Sequence, residues 1–210
     1  MPRAKPKWQL KTSNSSLTGL NQVLKWIAMF KEFKQWTSVY KQPNNYAFID
    51  GYNMHLSASN LGWEIDYQKL RTYLSDKYGI IMAYYFIGYI ADYENLYSSL
   101  TKKGYTLIFK EVSRGDNSKV KANVDAELVL QAMLYIQDYD QAVIVTSDGD
   151  FACLVKYLLE QEKLKRVLAP SGIGCSTLLA RAAGPYIDFL DDLRNKLEYK
   201  KERNPLRTRP

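Results

Sequence analysis

Between Tyr46 and Leu190, short apolar runs alternate with longer stretches in which apolar residues recur every three or four positions. Tyr46-Ala-Phe-Ile-Asp50 reads as a buried strand, and residues 66–77 as a helix with Tyr67, Leu70, Tyr73 and Leu74 on one face. Residues 80–90 form the next expected strand. A helix from about Asp92 then runs to Gly104, which stands in the position of a C-terminal glycine cap. A third strand, 105–112, leads through the polar loop 113–118 into a helix at 124–136 that turns Leu128, Val129, Ala132, Met133 and Ile136 inward. A strand at 141–146, a helix at 151–162, a strand at 165–169, a short helix at 176–183 and a last extended piece at 186–190 follow. This alternation predicts an α/β fold with a mainly parallel central sheet and helices on both faces.

Ahead of this pattern, Leu20, Val23, Leu24, Ile27, Phe30 and Phe33 lie at helical spacing, with Lys25, Lys31 and Lys34 beside them. They predict one amphipathic helix, ended by Pro43, that packs on the domain or on a second copy of the chain, with an RNA-contacting or membrane-surface helix as the other reading; a homodimer through this helix is one expected assembly. The longest apolar run, Ile80 to Ile87, is strand-length and far short of the roughly 20 residues of a membrane helix. The basic N-terminus is followed by no apolar leader core, so the cytoplasm is the expected location and no membrane partner is expected.

Charge sharpens the division. The chain carries 29 Lys and Arg against 22 Asp and Glu. Residues 1–43 hold eight bases and one acid, and residues 194–210 hold seven and two, so 44–193 keeps fourteen bases and nineteen acids. Three segments follow: a basic N-terminal extension (1–43), an acidic domain (44–193) and a basic C-terminal tail (194–210). Basic extensions on an acidic domain suit a protein that attracts a polyanion with one part and concentrates carboxylates in another; solubilising tails are the plain alternative.

The carboxylates are not scattered. In a parallel sheet, ligands bind beyond the carboxyl ends of the strands, and acids fall there: Asp50 ends the first strand, Asp148 and Asp150 follow the fourth, and Asp125 opens the helix before it. Each has an ordinary explanation as a helix cap, first-turn acid or turn residue. Together they are costly, because two like charges about 4 Å apart repel by roughly 4 kcal/mol at an effective dielectric of about 20. A hard divalent cation, Mg2+ or Mn2+, with Asn53 and Ser147 nearby, is the natural counter-charge. Such a site suits in-line phosphodiester hydrolysis. Two cysteines and one histidine are too few for a zinc site, and His55 alone excludes a histidine-pair mechanism. The cysteines are expected as buried small hydrophobes or reduced thiols. Tyr84, Tyr85, Tyr89, Tyr93 and Tyr97 have the periodicity of packing residues rather than of a base-stacking platform.

Phe48-Ile-Asp-Gly-Tyr-Asn53, Val120-Lys-Ala-Asn-Val-Asp-Ala-Glu-Leu128, Ala142-Val-Ile-Val-Thr-Ser-Asp-Gly-Asp-Phe151 and the stretch from Ser176 to Leu190 stand in the order and spacing of the NYN domain. The region 44–193 resembles that family, a branch of the PIN-like nucleases similar to the LabA-type bacterial proteins. The resemblance implies a PIN-like three-layer sandwich and a metal-dependent endoribonuclease site. Asp50, Asp125, Asp148 and Asp150 would be its catalytic, metal-holding acids, and Asn53 the companion of Asp50. Lys121 would contact phosphate, with Lys119, Arg114 and Ser147 as further substrate contacts and RNA as partner. At Gln131 some members carry a further acid. A non-catalytic RNA-binding protein and a small-molecule phosphatase are the other readings of the same residues.

Overall fold

The computed structural model describes residues 26–30, 42–60, 62–110 and 124–200. They fall in two units, 1–42 and 43–210. In the first, 26–30 are helical, and most of the expected N-terminal helix lies outside the described residues.

In the second unit six strands form one sheet: β1 (Asn45–Asp50), β2 (Ile80–Gly88), β3 (Thr106–Lys110), β4 (Ala142–Val145), β5 (Leu164–Ala169) and β6 (Ile187–Phe189). Their order is β3-β2-β1-β4-β5-β6, and every pairing between them is parallel. Among the described residues, seven α-helices surround the sheet: α1 (Gly51–Asn60), α2 (Tyr67–Tyr78), α3 (Glu94–Lys102), α4 (Asp125–Leu134), α5 (Ala152–Glu160), α6 (Thr177–Ala183) and α7 (Arg194–Leu197).

Strand alternation sorts the core into two layers. Ala47, Ile49, Tyr85, Val143 and Val145 pack with Met54 of α1, Leu70 and Leu74 of α2, Leu100 of α3 and Leu197 of α7. Phe48, Phe86 and Ile144 pack with Leu128 of α4, Leu158 of α5 and Leu179 of α6. The result is the three-layer PIN-like sandwich.

Capping chemistry sets the helix bounds. Asp66 is the N-cap of α2, its carboxylate accepting from the Gln68 and Lys69 N–H groups, and Gly79 ends the helix at φ 65°. Gly104, at φ 85°, follows α3 as its spacing predicted. Helix α1 has no counterpart in the periodicity. Only Gly51 and Met54 are buried among its residues with described side chains, so no apolar stripe marks it. Beyond 193 the fold continues: the Asp66 N–H donates to the Leu197 carbonyl (2.8 Å), the Tyr199 N–H to the Glu64 carbonyl (2.8 Å), and Leu197 is buried. The first residues of the expected tail therefore belong to the domain. No helix among the described residues is long and apolar enough to cross a membrane.

Because β1 leads to β2 on one side while its other neighbour, β4, leads to β5, the connections diverge between β1 and β4. In open parallel sheets the ligand crevice lies at that divergence, beyond the carboxyl ends of the strands.

Candidate functional site

The parity of β1 puts Asp50 on the same face as Phe48, toward the layer of α4. The side chain is almost fully buried. Its Oδ1 accepts from the Asn53 N–H (3.0 Å), starting α1, and its Oδ2 accepts from the Thr146 hydroxyl (3.1 Å). The same Thr146 oxygen accepts from the Asp148 N–H (3.1 Å), so one hydroxyl ties the end of β1 to the loop after β4. Asn53 makes a second stitch: its Oδ1 accepts from the Ser147 N–H at 2.9 Å. Gly149 fits because a Cβ there would strike the Ser176 hydroxyl, the cap of α6.

Asp125 is the first residue of α4, and Asp148 caps the 3-10 turn Gly149–Phe151, accepting from the Asp150 N–H at 3.0 Å. The sequence explanations as caps and first-turn acids thus hold for these residues, and they converge as well. One carboxylate oxygen from each of Asp125, Asp148 and Asp150 lies within 4.8 Å of the others. Asp50 is outside this set of three. Burial, helped by the charges of Asp125 and Asp148, pushes its carboxyl up to about 6 against the downward pull of the Asn53 and Thr146 donors. Of four expected acids, three form an open cluster and the fourth is a buried neighbour that feels their charge.

Ser147 is buried at the same edge, and its hydroxyl oxygen has no hydrogen-bond partner among the described residues. Arg114, Lys119 and Lys121 lie outside the described residues. Glu127, also in the first turn of α4, pairs with Lys110 at the end of β3 (3.1 Å). Both cysteines are free, and Cys153 is exposed rather than buried. Thr146 was not among the sequence candidates. The signal for it was a hydroxyl residue closing a fully apolar strand, beside two carboxylates that need a donor.

The NYN domain family model matches residues 46–191. The chain is 28% identical over 173 residues to the Low amplitude and bright protein LabA of Synechococcus elongatus, a match covering 78% of this chain and 92% of that protein. Among solved structures, the crystal structure of a protein of unknown function from Vibrio parahaemolyticus shares the fold. Its TM-score is 0.64 at 17% identity, covering 75% of this chain and 97% of that one.

Proposed function

Because this chain belongs to the NYN domain family, we propose that it hydrolyses RNA phosphodiester bonds with a divalent ion, Mg2+ or Mn2+, at its carboxylate edge. The observation that carries the reading is the convergence of Asp125, Asp148 and Asp150 within 4.8 Å. The donor set fits such an ion. Its ligand atoms are all carboxylate oxygens, the preference of a hard cation, and opposite oxygens around Mg2+ at about 2.1 Å stand about 4.2 Å apart. Three negative charges so close repel one another and favour a cation among them.

Asp125, Asp148 and Asp150 would hold the ion. Bound there, it supplies neutralisation of charge on the phosphate and activation of water. Asp50 acts on position: through Thr146 it fixes the backbone of Asp148, and through the Asn53 N–H it fixes the start of α1. With its carbonyl oxygen turned to the Ser147 N–H, the Asn53 side chain also carries two N–H donors, which suit a phosphate oxygen. Lys119, Lys121 and Arg114 supply cations just ahead of Asp125 in sequence, and the basic extensions draw the polyanion in.

Single-stranded RNA incubated with the protein in Mg2+ or Mn2+, against EDTA, tests this. Cleavage should need the metal and fall at least roughly 100-fold in Asp148→Asn, as for loss of a group that stabilises transition-state charge. Metal-dependent cleavage untouched by the substitution would sink the site assignment. Tight, salt-sensitive binding without cleavage would replace this reading with that of an RNA-binding protein.

A further inference from the structure

A second concavity opens beside the carboxylates, on the other face of the sheet. Tyr85 and Ile87 belong to the layer packed by α1 and α2, opposite Asp50. There they help line a cleft of about 640 Å3 with Tyr52, Trp63, Tyr67 and Tyr93. That volume lies within the roughly 300–1,000 Å3 typical of small-ligand sites. We infer that this cleft receives a base of the RNA strand whose backbone lies at Asp125, Asp148 and Asp150. The inference rests on the reading of that edge as an RNA site and adds to it where a base goes.

Three observations select a base. First, the polar groups of the inner wall are already paired. The Tyr67 and Tyr85 hydroxyls meet at 3.1 Å, Tyr85 also donates to the Gly51 carbonyl, and the Tyr97 hydroxyl joins the Gly88 carbonyl and the Ile90 N–H. An occupant is therefore held mainly by ring faces. Second, Tyr52, Tyr93 and Tyr199 are each about half exposed although the cleft is at hand to bury them (50%, 50% and 53%). Aromatic faces left open to solvent are what a planar base stacks on. Third, the charged groups lining the cleft are Glu64, Asp66 and Lys103, and Lys103 is engaged by the Ser99 hydroxyl. The two carboxylates outnumber the one ammonium, which disfavours a phosphate and leaves a neutral heterocycle as the better occupant.

Position links the cleft to the carboxylates. Tyr52 is two residues after Asp50, a Cα separation of at most about 7 Å. Asp50 faces the α4 layer while Tyr52 lines the cleft. A strand crossing the end of β1 can thus lay its backbone on the side that Asp50 faces and tuck a base into the cleft on the other. Of the tyrosines assigned to packing by their periodicity, Tyr84, Tyr85 and Tyr97 are buried as expected, while Tyr89 is exposed (45%) and Tyr93 stands half exposed at the cleft.

The test uses the full chain and a short single-stranded RNA carrying 5-iodouracil, irradiated with the protein in EDTA. Adducts read by mass spectrometry should fall on Tyr52, Tyr93 or Tyr199. Tyr52→Ala and Tyr93→Ala, each checked for an unchanged melting temperature, should weaken binding of base-bearing RNA by roughly 5-fold or more. An abasic strand of equal length should bind both variants as it binds the wild type. Adducts confined to other residues, with both variants binding RNA as the wild type does, would overturn the inference and give the cleft to another occupant. Cleavage of unmodified RNA is read separately. A protein that cleaves but shows no base-dependent loss refutes the cleft alone, and one that stacks a base but never cleaves refutes the nuclease reading alone.

Discussion

At the scale of single residues the carboxylate edge sets the cost of gathering acids against the bonds that hold the strand ends together. Asp50 bears the clearest cost, since burial and two neighbouring carboxylates favour its protonated form and lift it to about 6. The sign of the stability effect follows. Between about pH 4 and pH 6 the native state keeps a proton that the unfolded chain has released, so stability falls as pH rises through that window. Above it the full penalty is present, of order 3 kcal/mol for a shift of about two units. In EDTA at about pH 7.5, Asp50→Asn should therefore raise the urea unfolding free energy by roughly 1–3 kcal/mol, a gain that vanishes below about pH 4. The amide can replace the carboxylate in both bonds, because the Thr146 oxygen has lone pairs to accept from it. A variant no more stable than wild type at about pH 7.5 would show that the neighbouring donors offset the burial. A loss of cleavage in this more stable variant would mark Asp50 as a functional acid rather than a structural one.

At the scale of elements, helix α1 decides where Asp50, Asn53 and Tyr52 stand, and it begins with no loop after β1. Gly51 makes that approach feasible: a Cβ there would meet the Tyr85 ring and come within 2.6 Å of the Phe86 carbonyl oxygen. Gly51→Ala should cost about 1–3 kcal/mol by overpacking, readable as a lowered melting temperature. It should also depress cleavage further than the stability loss explains, because Asp50 and Tyr52 flank the displaced backbone. Wild-type stability in Gly51→Ala would show that the strand end has room to give. The sequence made the six strands legible because β-branched and aromatic runs bounded by polar loops have few other uses, and the parallel sheet then followed from the alternation. Helix α1 was not legible, since it is specified by one cap and one glycine rather than by a stripe. Asp125, Asp148 and Asp150 were legible from their places at strand ends and a helix start. That Asp50 stands apart from them, buried and tied to Thr146, depends on side-chain packing that spacing does not encode. Tyr93 was misjudged for a related reason: periodicity identifies a face but not the hollow beside it.

At the scale of the whole molecule, charge and topology divide the work. The sheet order β3-β2-β1-β4-β5-β6 brings the acids to the divergence between β1 and β4, while the excess of positive charge lies in residues 1–43 and 194–210. On the proposed reading, a polyanion would thus be attracted by segments other than those that act on it. Removing residues 201–210, which carry four of the bases and one acid, should flatten the plot of log affinity for single-stranded RNA against log salt. The slope should fall by up to about 2–3, with the melting temperature of the folded unit unchanged. An unaltered slope would assign that tail to solubility alone.

The bond between Asp50 and Thr146 spans 96 positions of sequence, and β1 cannot acquire its β4 neighbour until that later segment exists. Contacts of such separation form late and slowly. On the ribosome, the first half of the chain emerges with one aspartate of the four, Asp50, which then has the Asn53 N–H for a partner but not Thr146. On the proposed reading, topology then acts as a safeguard: the carboxylates at positions 125, 148 and 150 are made only after more than half of the message has been read.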